Sequence, residues 1–290
     1  MINKPIFQTI MDTIPNPIII TDGINLIKCN EEFFNFFSYK SIKQFNQYNK
    51  NIANLFVQHD DYFSLALIDK NTSWIDYIFN NDKETIVSIL NKDGEPRIFE
   101  LTINELKTNK NNYVIVFTDI TAIQNEKKLL KKMAYNDPLT NIYNRQMFNK
   151  ILSRERENKK RHGDALSLIM LDIDHFKAVN DTYGHDVGDK VLITLTKLIT
   201  KNLRTNDVFA RWGGEEFMIL LPRTDTNVAY DKAQELRQLI EQYSDDVIPG
   251  ITVSFGITEI LNTDQDLSCF KRVDKALYDA KINRNDVVKI

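Results

Sequence analysis

The chain has 290 residues, 42% of them hydrophobic and 27% charged, a balance that fits a soluble globular protein of about two domains. Its net charge of −3 gives the molecule as a whole no electrostatic case for binding DNA or RNA, so an anionic ligand needs a local basic patch or metal ions. No apolar run approaches the roughly 18 residues that span a bilayer, and the start "MINKPIFQTIMDTIPNP" lacks a signal-peptide core, so the expected location is the cytoplasm.

Over residues 1–119, short strand-like runs alternate with turns. "NPIIITD" followed by "INLIKCN" predicts a hairpin turning at Asp22-Gly23. "NEEFFNFFSY" then carries Phe33, Phe36 and Phe37 at helical spacing. "KETIVSIL", a turn at "NKDGEP", "RIFELTINEL" and "NNYVIVFTDIT" come next. In "RIFELTINEL", Ile98, Glu100, Thr102 and Asn104 share one face, and Phe99, Leu101 and Ile103 the other. That period of two predicts a half-buried antiparallel sheet.

The runs "IMDTIPNPIIITDG…NEEFFNFFSY" and the closing "VFTDIT" resemble a PAS domain. The resemblance implies a five-stranded sheet with a ligand-holding or dimerising face, and an exit at "DIT" into an output domain. No residue fixes a ligand or names the signal. His59, alone in "VQHDDYF", reads as a loop residue rather than a haem ligand, and Cys29 lacks the context of a flavin-adduct cysteine. Trp74 and the many Phe residues read as core. Cys29 and Cys269 are far apart, form no metal-ligand spacing, and read as packed thiols in a reducing compartment.

From about 120 to 136, "ITAIQNEKKLLKKMAYN" places Ile120, Ile123, Leu130 and Ala134 at 3–4 spacing, with Lys127 interrupting the stripe. This predicts a linker helix. Two readings stay open: a connector lying on its own domain, or a short coiled coil pairing two chains. The second is favoured because a half-polar helix needs somewhere to bury its stripe.

Residues 137–290 alternate helices with apolar strands. The predicted order is a helix around 141–161, the strand "ALSLIMLDI", a helix around 186–203 and a hairpin centred on 213–216. A helix around 226–243, the strand "GITVSFGIT" and a helix around 268–283 complete it. The alternation predicts a mixed sheet covered by helices. Its strand "LSLIMLDID" switches abruptly from apolar residues to Asp172 and Asp174, which points to a cation at the strand end. Only one of the two acids need ligate if the strand is already bending. The hairpin "RWGGEEF" adds Glu215 and Glu216, carboxylates of the kind Mg²⁺ prefers together with water and phosphate. Gly213 and Gly214 accept positive φ and leave room for a phosphate beside the chain. A turn alone explains the glycines but not two adjacent acids.

"RWGGEEF", with "MLDIDHFKAVNDTYGHDVGD" and "DPLTNIYNR" upstream and "VDKALYDAK" downstream, resembles the GGDEF family, the diguanylate cyclases. The likeness runs from Asp137 to about Val288, and the glutamate at the third motif position is a common active form of the pattern. The fold class expected is therefore α+β in two domains, a PAS-like antiparallel sheet followed by a palm-like (ferredoxin-like) α/β GGDEF domain. The resemblance implies one GTP per subunit, two Mg²⁺ or Mn²⁺ ions per GTP, and two facing subunits that form cyclic di-GMP and release pyrophosphate. It implies that Asp172, the backbone carbonyl of Ile173, Glu215 and Glu216 hold metal, and that Glu215 accepts the proton. Asn180 and Asp189 match the family's guanine readers, with Gly188 easing close packing of their loop. Lys177 and Lys281 match its phosphate lysines.

The family usually ends "AK…GRN", whereas this chain reads "AKINRN". Arg284 thus stands three residues after Lys281 instead of four, and the glycine is missing. Arg204 and Asp207 of "RTND" form an RxxD pair, five residues removed from Gly213, which is the placement of the family's product-inhibition site. A helical i,i+3 ion pair is the bland alternative. The reading that results is a homodimeric signalling cyclase with no membrane span. The rival is a silent domain that binds cyclic di-GMP or GTP as a receptor.

Overall fold

The computed structural model describes residues 4–49, 51–59, 61–69, 72–80, 85–107, 111–244, 248–264 and 268–290. Lys83 and Glu84 of the expected strand "KETIVSIL" lie outside the described residues. The chain divides into two compact units, Met1–Leu129 and Leu130–Ile290.

The first unit runs α1 (Lys4–Asp12), β1 (Ile18–Thr21), β2 (Leu26–Cys29), α2 (Glu31–Phe37), α3 (Ile42–Tyr48), β3 (Phe56–Val57), α4 (Trp74–Asn80), β4 (Ile86–Leu90), β5 (Pro96–Glu105) and β6 (Tyr113–Asp119). Six strands, one more than the resemblance implies, form a sheet in the order β2-β1-β6-β5-β4-β3, all neighbours antiparallel. The extra strand is the two-residue β3, too short to show as a period in the sequence. The β1–β2 hairpin turns through Gly23 at φ +95, where a side chain would be strained. On β5, Phe99 and Leu101 are buried while Glu100, Thr102 and Asn104 are exposed, the alternation read from the sequence.

That inner face meets α2 and α3, whose N-caps Asn30 and Ser41 accept from Phe33 N and Gln44 N. Phe33, Phe45, Phe63, Phe99 and Phe117 fill the space between. Edge-on contacts such as Phe33–Phe45, at 5.3 Å between centroids, add to the apolar burial. Trp74 is also core, its indole N–H donating to Gly23 O at 2.8 Å. His59 is exposed and stacks on Tyr62 at 4.4 Å. Burial pushes the Cys29 thiol up to about 12, with Asp12 adding to the shift, and Cys269 is buried as well.

Helix α5 (Thr121–Tyr135) crosses the boundary between the units and has no buried residue; Ile123, Leu129, Leu130 and Met133 are all more than half exposed.

The second unit continues with β7 (Tyr143–Asn144), α6 (Arg145–His162), β8 (Leu166–Ile173), α7 (Phe176–Tyr183), α8 (His185–Lys201), β9 (Val208–Gly213), β10 (Glu216–Pro222), α9 (Thr226–Glu241), β11 (Val253–Glu259), α10 (Ser268–Asn283) and β12 (Val287–Lys289). The sheet order is β12-β11-β8-β10-β9-β7, parallel at the two edges and antiparallel between. All eight residues of β8 are buried because helices cover both faces. Leu166, Leu168 and Met170 join the core under α6 and α10. Ile169, Leu171 and Ile173 join the one under α8 and α9.

Candidate active site

Asp172 lies on the α6/α10 face of β8 and is buried. The register sets Glu216 of β10 directly opposite it on one side and Ser254 of β11 on the other. Cross-strand partners have Cβ atoms roughly 5 Å apart, so the Asp172 and Glu216 carboxylates emerge side by side. Ile173, the last residue of the strand, points its side chain into the opposite core, leaving only its backbone to face the site. Asp174 is placed differently from Asp172. Its carboxylate accepts from Thr252 Oγ1 at 2.8 Å, Ser254 Oγ at 2.7 Å and Asn285 N at 2.8 Å, and so ties β8 to β11 and to the end of α10.

The hairpin between β9 and β10 closes with Gly213 opposite Glu216, and Gly214 and Glu215 form its tip. Gly214 has φ +54; Gly213 does not take positive φ. A Cβ on either glycine would meet nothing within 4 Å, so the space beside the turn is open.

Gly256 of β11 sets the height of α10 over the sheet. A Cβ there would lie 2.3 Å from Leu277 N and 2.5 Å from Val273 O, an approach only glycine permits. One turn beyond Leu277, Lys281 reaches Asp172, with Nζ 2.8 Å from Oδ2. Burial pushes the Asp172 carboxyl up to about 6. The Lys281 hydrogen bond and charge oppose that rise, while Glu215 and Glu216 add to it.

Among the described residues, no three His, Cys, Asp or Glu side chains stand close enough to cage a metal. The donor set nonetheless suits a hard divalent ion: oxygen ligands only, three carboxylates within electrostatic reach of one another, and a single ammonium to balance them.

Asn180 sits on α7 and Asp189 on α8, so the segment read as a polar loop is helical apart from the link at Gly184, φ +84. Gly188 is buried inside α8. Its missing Cβ admits the Asn180 amide, whose Oδ1 would be 1.9 Å from a Cβ there. Gly188 thus makes room for the Asn180 side chain. The Asn180 amide, the Asp189 carboxylate and the exposed Lys177 ammonium make no hydrogen bond or ion pair among the described residues. Arg284 is exposed at φ +60 and its N–H donates to Ala280 O, so it fills the left-handed position beyond α10 that a glycine usually takes.

Arg204 and Asp207 lie in the turn between α8 and β9, not in a helix. Asp207 Oδ2 accepts from Arg204 N at 2.8 Å, and Asp207 N donates back to Arg204 O at 3.0 Å. The helical ion pair is therefore not formed, and the Arg204 guanidinium has no partner among the described residues. Thr205, Asn206, Asp207 and Val208 line a hollow of about 370 Å³, together with Arg154 and Arg223.

The sequence reading missed Arg211. Its Nη1 donates to both Asp137 oxygens at 3.1 and 3.2 Å, and its Nε donates to Gly214 O at 2.9 Å. Asp137 also accepts from Thr140 N and Oγ1. Burial alone would raise the Asp137 carboxyl, but these donors and the Arg211 charge outweigh it and hold it below its usual value of 3.8. The signal was available, since Asp137 opens "DPLT" and Arg211 opens "RWGGEEF", but nothing in one sequence pairs residues 74 positions apart. Arg145 also stacks on Trp212, 4.3 Å from the ring centre, and steadies the same strand.

Residues 134–286 match the family model described as diguanylate cyclase, GGDEF domain, and residues 6–73 match a PAS domain model. Diguanylate cyclase DgcM of Escherichia coli (strain K12) is 37% identical over 163 residues, which are 56% of this chain and 40% of that protein. Diguanylate cyclase VdcA of Vibrio cholerae is 34% identical over 179 residues, 59% of this chain and 52% of that protein. The chain thus spans about half or less of the length of these curated relatives. Among solved structures, the coiled coil and GGDEF domain of DgcB from Caulobacter crescentus, in complex with c-di-GMP, aligns with a TM-score of 0.55 at 30% identity, covering 59% of this chain and 93% of that one. Diguanylate cyclase SiaD from Pseudomonas aeruginosa, in complex with its activator SiaC, gives 0.53 at 36% identity, covering 58% and 66%.

Proposed function

The chain belongs to the GGDEF-domain diguanylate cyclase family, and from that premise we propose that it joins two GTP into cyclic di-GMP at the meeting of two such domains. Each 3′-hydroxyl attacks the α-phosphate of the other nucleotide, two phosphodiester bonds form, two α–β anhydride bonds break, and two pyrophosphates leave. The observation that carries this reading is the pairing of buried Asp172 with Glu216 across the strands, beside a glycine turn open to a ligand.

In this scheme Asp172, the carbonyl of Ile173, Glu215 and Glu216 hold Mg²⁺ or Mn²⁺. When bound, the ions neutralise the triphosphate, polarise the α-phosphate and lower the pKa of the attacking hydroxyl. Glu215, at the hairpin tip, accepts the proton. Asp189 accepts from guanine N1 and N2 hydrogens, a pattern adenine lacks, and Asn180 completes the reading. Lys177, Lys281 and Arg284 meet phosphate oxygens, and Gly213 and Gly214 keep side chains out of their way. One GTP per domain makes the reaction dimeric. The exposed stripe of α5, Ile123, Leu130 and Met133, pairs two chains so that the PAS-like unit biases how the catalytic domains meet. Arg204 and Asp207 bind the product and slow the enzyme, the free guanidinium forking onto guanine or phosphate.

The test is the full chain with Mg²⁺ and GTP, its products identified by mass. Cyclic di-GMP and pyrophosphate are expected. Glu215→Gln should cut turnover by at least about 10²-fold while thermal melting stays unchanged. Nucleotide binding without pyrophosphate release would make the chain a receptor instead.

A further inference from the structure

Lys281 does more in this structure than wait for a phosphate. Its ammonium is 2.8 Å from Asp172, the one carboxylate of the set that is buried at the strand end. Gly256 fixes α10 at the height that makes this contact, so the pairing is built into the packing of helix on sheet. The Lys281 side chain is 40% exposed, against 7% for Asp172. The lysine can therefore withdraw its head into solvent, while the carboxylate cannot leave. Glu215 and Glu216 act on Asp172 through their charges. Without a cation at Asp172, three acids would face one another across a partly dry end of the sheet, an arrangement that carries a heavy electrostatic cost.

We propose that Lys281 is a placeholder cation, occupying Asp172 and competing there with a divalent ion until phosphate oxygens draw the ammonium away. The role rests on the reading of Asp172 as a metal ligand. It gives Lys281 two successive partners, a carboxylate in the nucleotide-free chain and a phosphate in the loaded one. A divalent ion arriving alone must displace an ammonium, whereas one arriving with a triphosphate finds that ammonium a better partner elsewhere.

The consequence runs against the ordinary expectation that removing a residue from a site weakens the site. In the nucleotide-free full chain, Lys281→Met should bind Mn²⁺ about tenfold tighter than the wild type, read by the loss of the free-ion electron paramagnetic resonance signal. Lys281→Arg keeps the charge and should leave Mn²⁺ affinity near the wild-type value. Lys275→Met removes the same charge from an exposed position of α10 and sets the background. Should Lys281→Met not fold, Lys281→Gln keeps a hydrogen-bond donor without the charge and is expected to shift affinity the same way. Mn²⁺ affinity that is unchanged or weaker in the folded neutral variant, or tightened equally by Lys275→Met, overturns the placeholder role. Mn²⁺ that binds Asp172→Asn as tightly as wild type overturns the metal reading itself, and the placeholder with it.

Discussion

Two asparagines show how differently the units use their polar side chains. Asn30, in the first unit, is wholly buried and has no capacity left: Oδ1 accepts from Ile18 N and Phe33 N, and Nδ2 donates to the carbonyls of Met11, Ile14 and Asn16. It joins α1, β1 and α2 as a knot of the fold. Asn180, in the second unit, has its side-chain amide admitted into a notch at Gly188, and that amide makes no hydrogen bond among the described residues. The same division separates Asp174, fully bonded, from Asp172 two residues earlier, whose partner is a lysine with its side chain 40% exposed. Polar capacity left unused in a well-packed place is what a ligand can exploit; capacity already consumed is architecture.

The comparison breaks most visibly if both asparagines are cut back. Asn30→Ala should cost the first unit about 3 kcal/mol, because several buried backbone groups lose their partner. Urea unfolding, followed by Trp74 fluorescence in a Trp212→Phe background, reads that loss. Asn180→Ala should leave stability within about 0.5 kcal/mol and weaken GTP binding by at least about tenfold. Equal stability losses at the two positions would erase the distinction.

A finer test keeps Asn180 and closes its notch. Gly188→Ala places a Cβ against Oδ1, the far end of a movable side chain, so the amide must turn while the helix gains a better helix former. The fold should hold and the KM for GTP should rise about fivefold through misplacement of the reader, with kcat unchanged at saturation. A fall in melting temperature with KM unmoved would assign Gly188 to packing alone.

The smallest expected effect is at Arg284. Its left-handed backbone disfavours any side chain, and glycine there should raise stability by about 0.5 kcal/mol after the entropy of the unfolded chain is counted. The gain of about 1–2 °C in Tm should come with a small loss of turnover, since Arg284 meets phosphate in the proposed scheme; turnover unchanged would place Arg284 outside the phosphate site.

Much of the architecture was legible because burial writes itself into residue order. The alternation of β5 separates Phe99 and Leu101 from Glu100 and Thr102, and the unbroken apolar run of β8 requires cover on both faces. The hairpin at residues 213–216 was legible from glycines in a turn, and the acids from their position at a strand end. These are local properties, fixed by the period of the backbone and the chemistry of each side chain. Residue type and spacing alone could not separate Asp172 from Asp174, two aspartates two residues apart; only the family resemblance pointed to Asp172. Only the neighbours brought in by β11 and by the chain after α10 satisfy one and leave the other to Lys281. Nor could residue type and spacing pair Arg211 with Asp137, or show that Gly188 makes room for Asn180 and Gly256 for α10. Each of these depends on which distant backbone lies within a few ångströms, a distance set by packing and not by position along the chain.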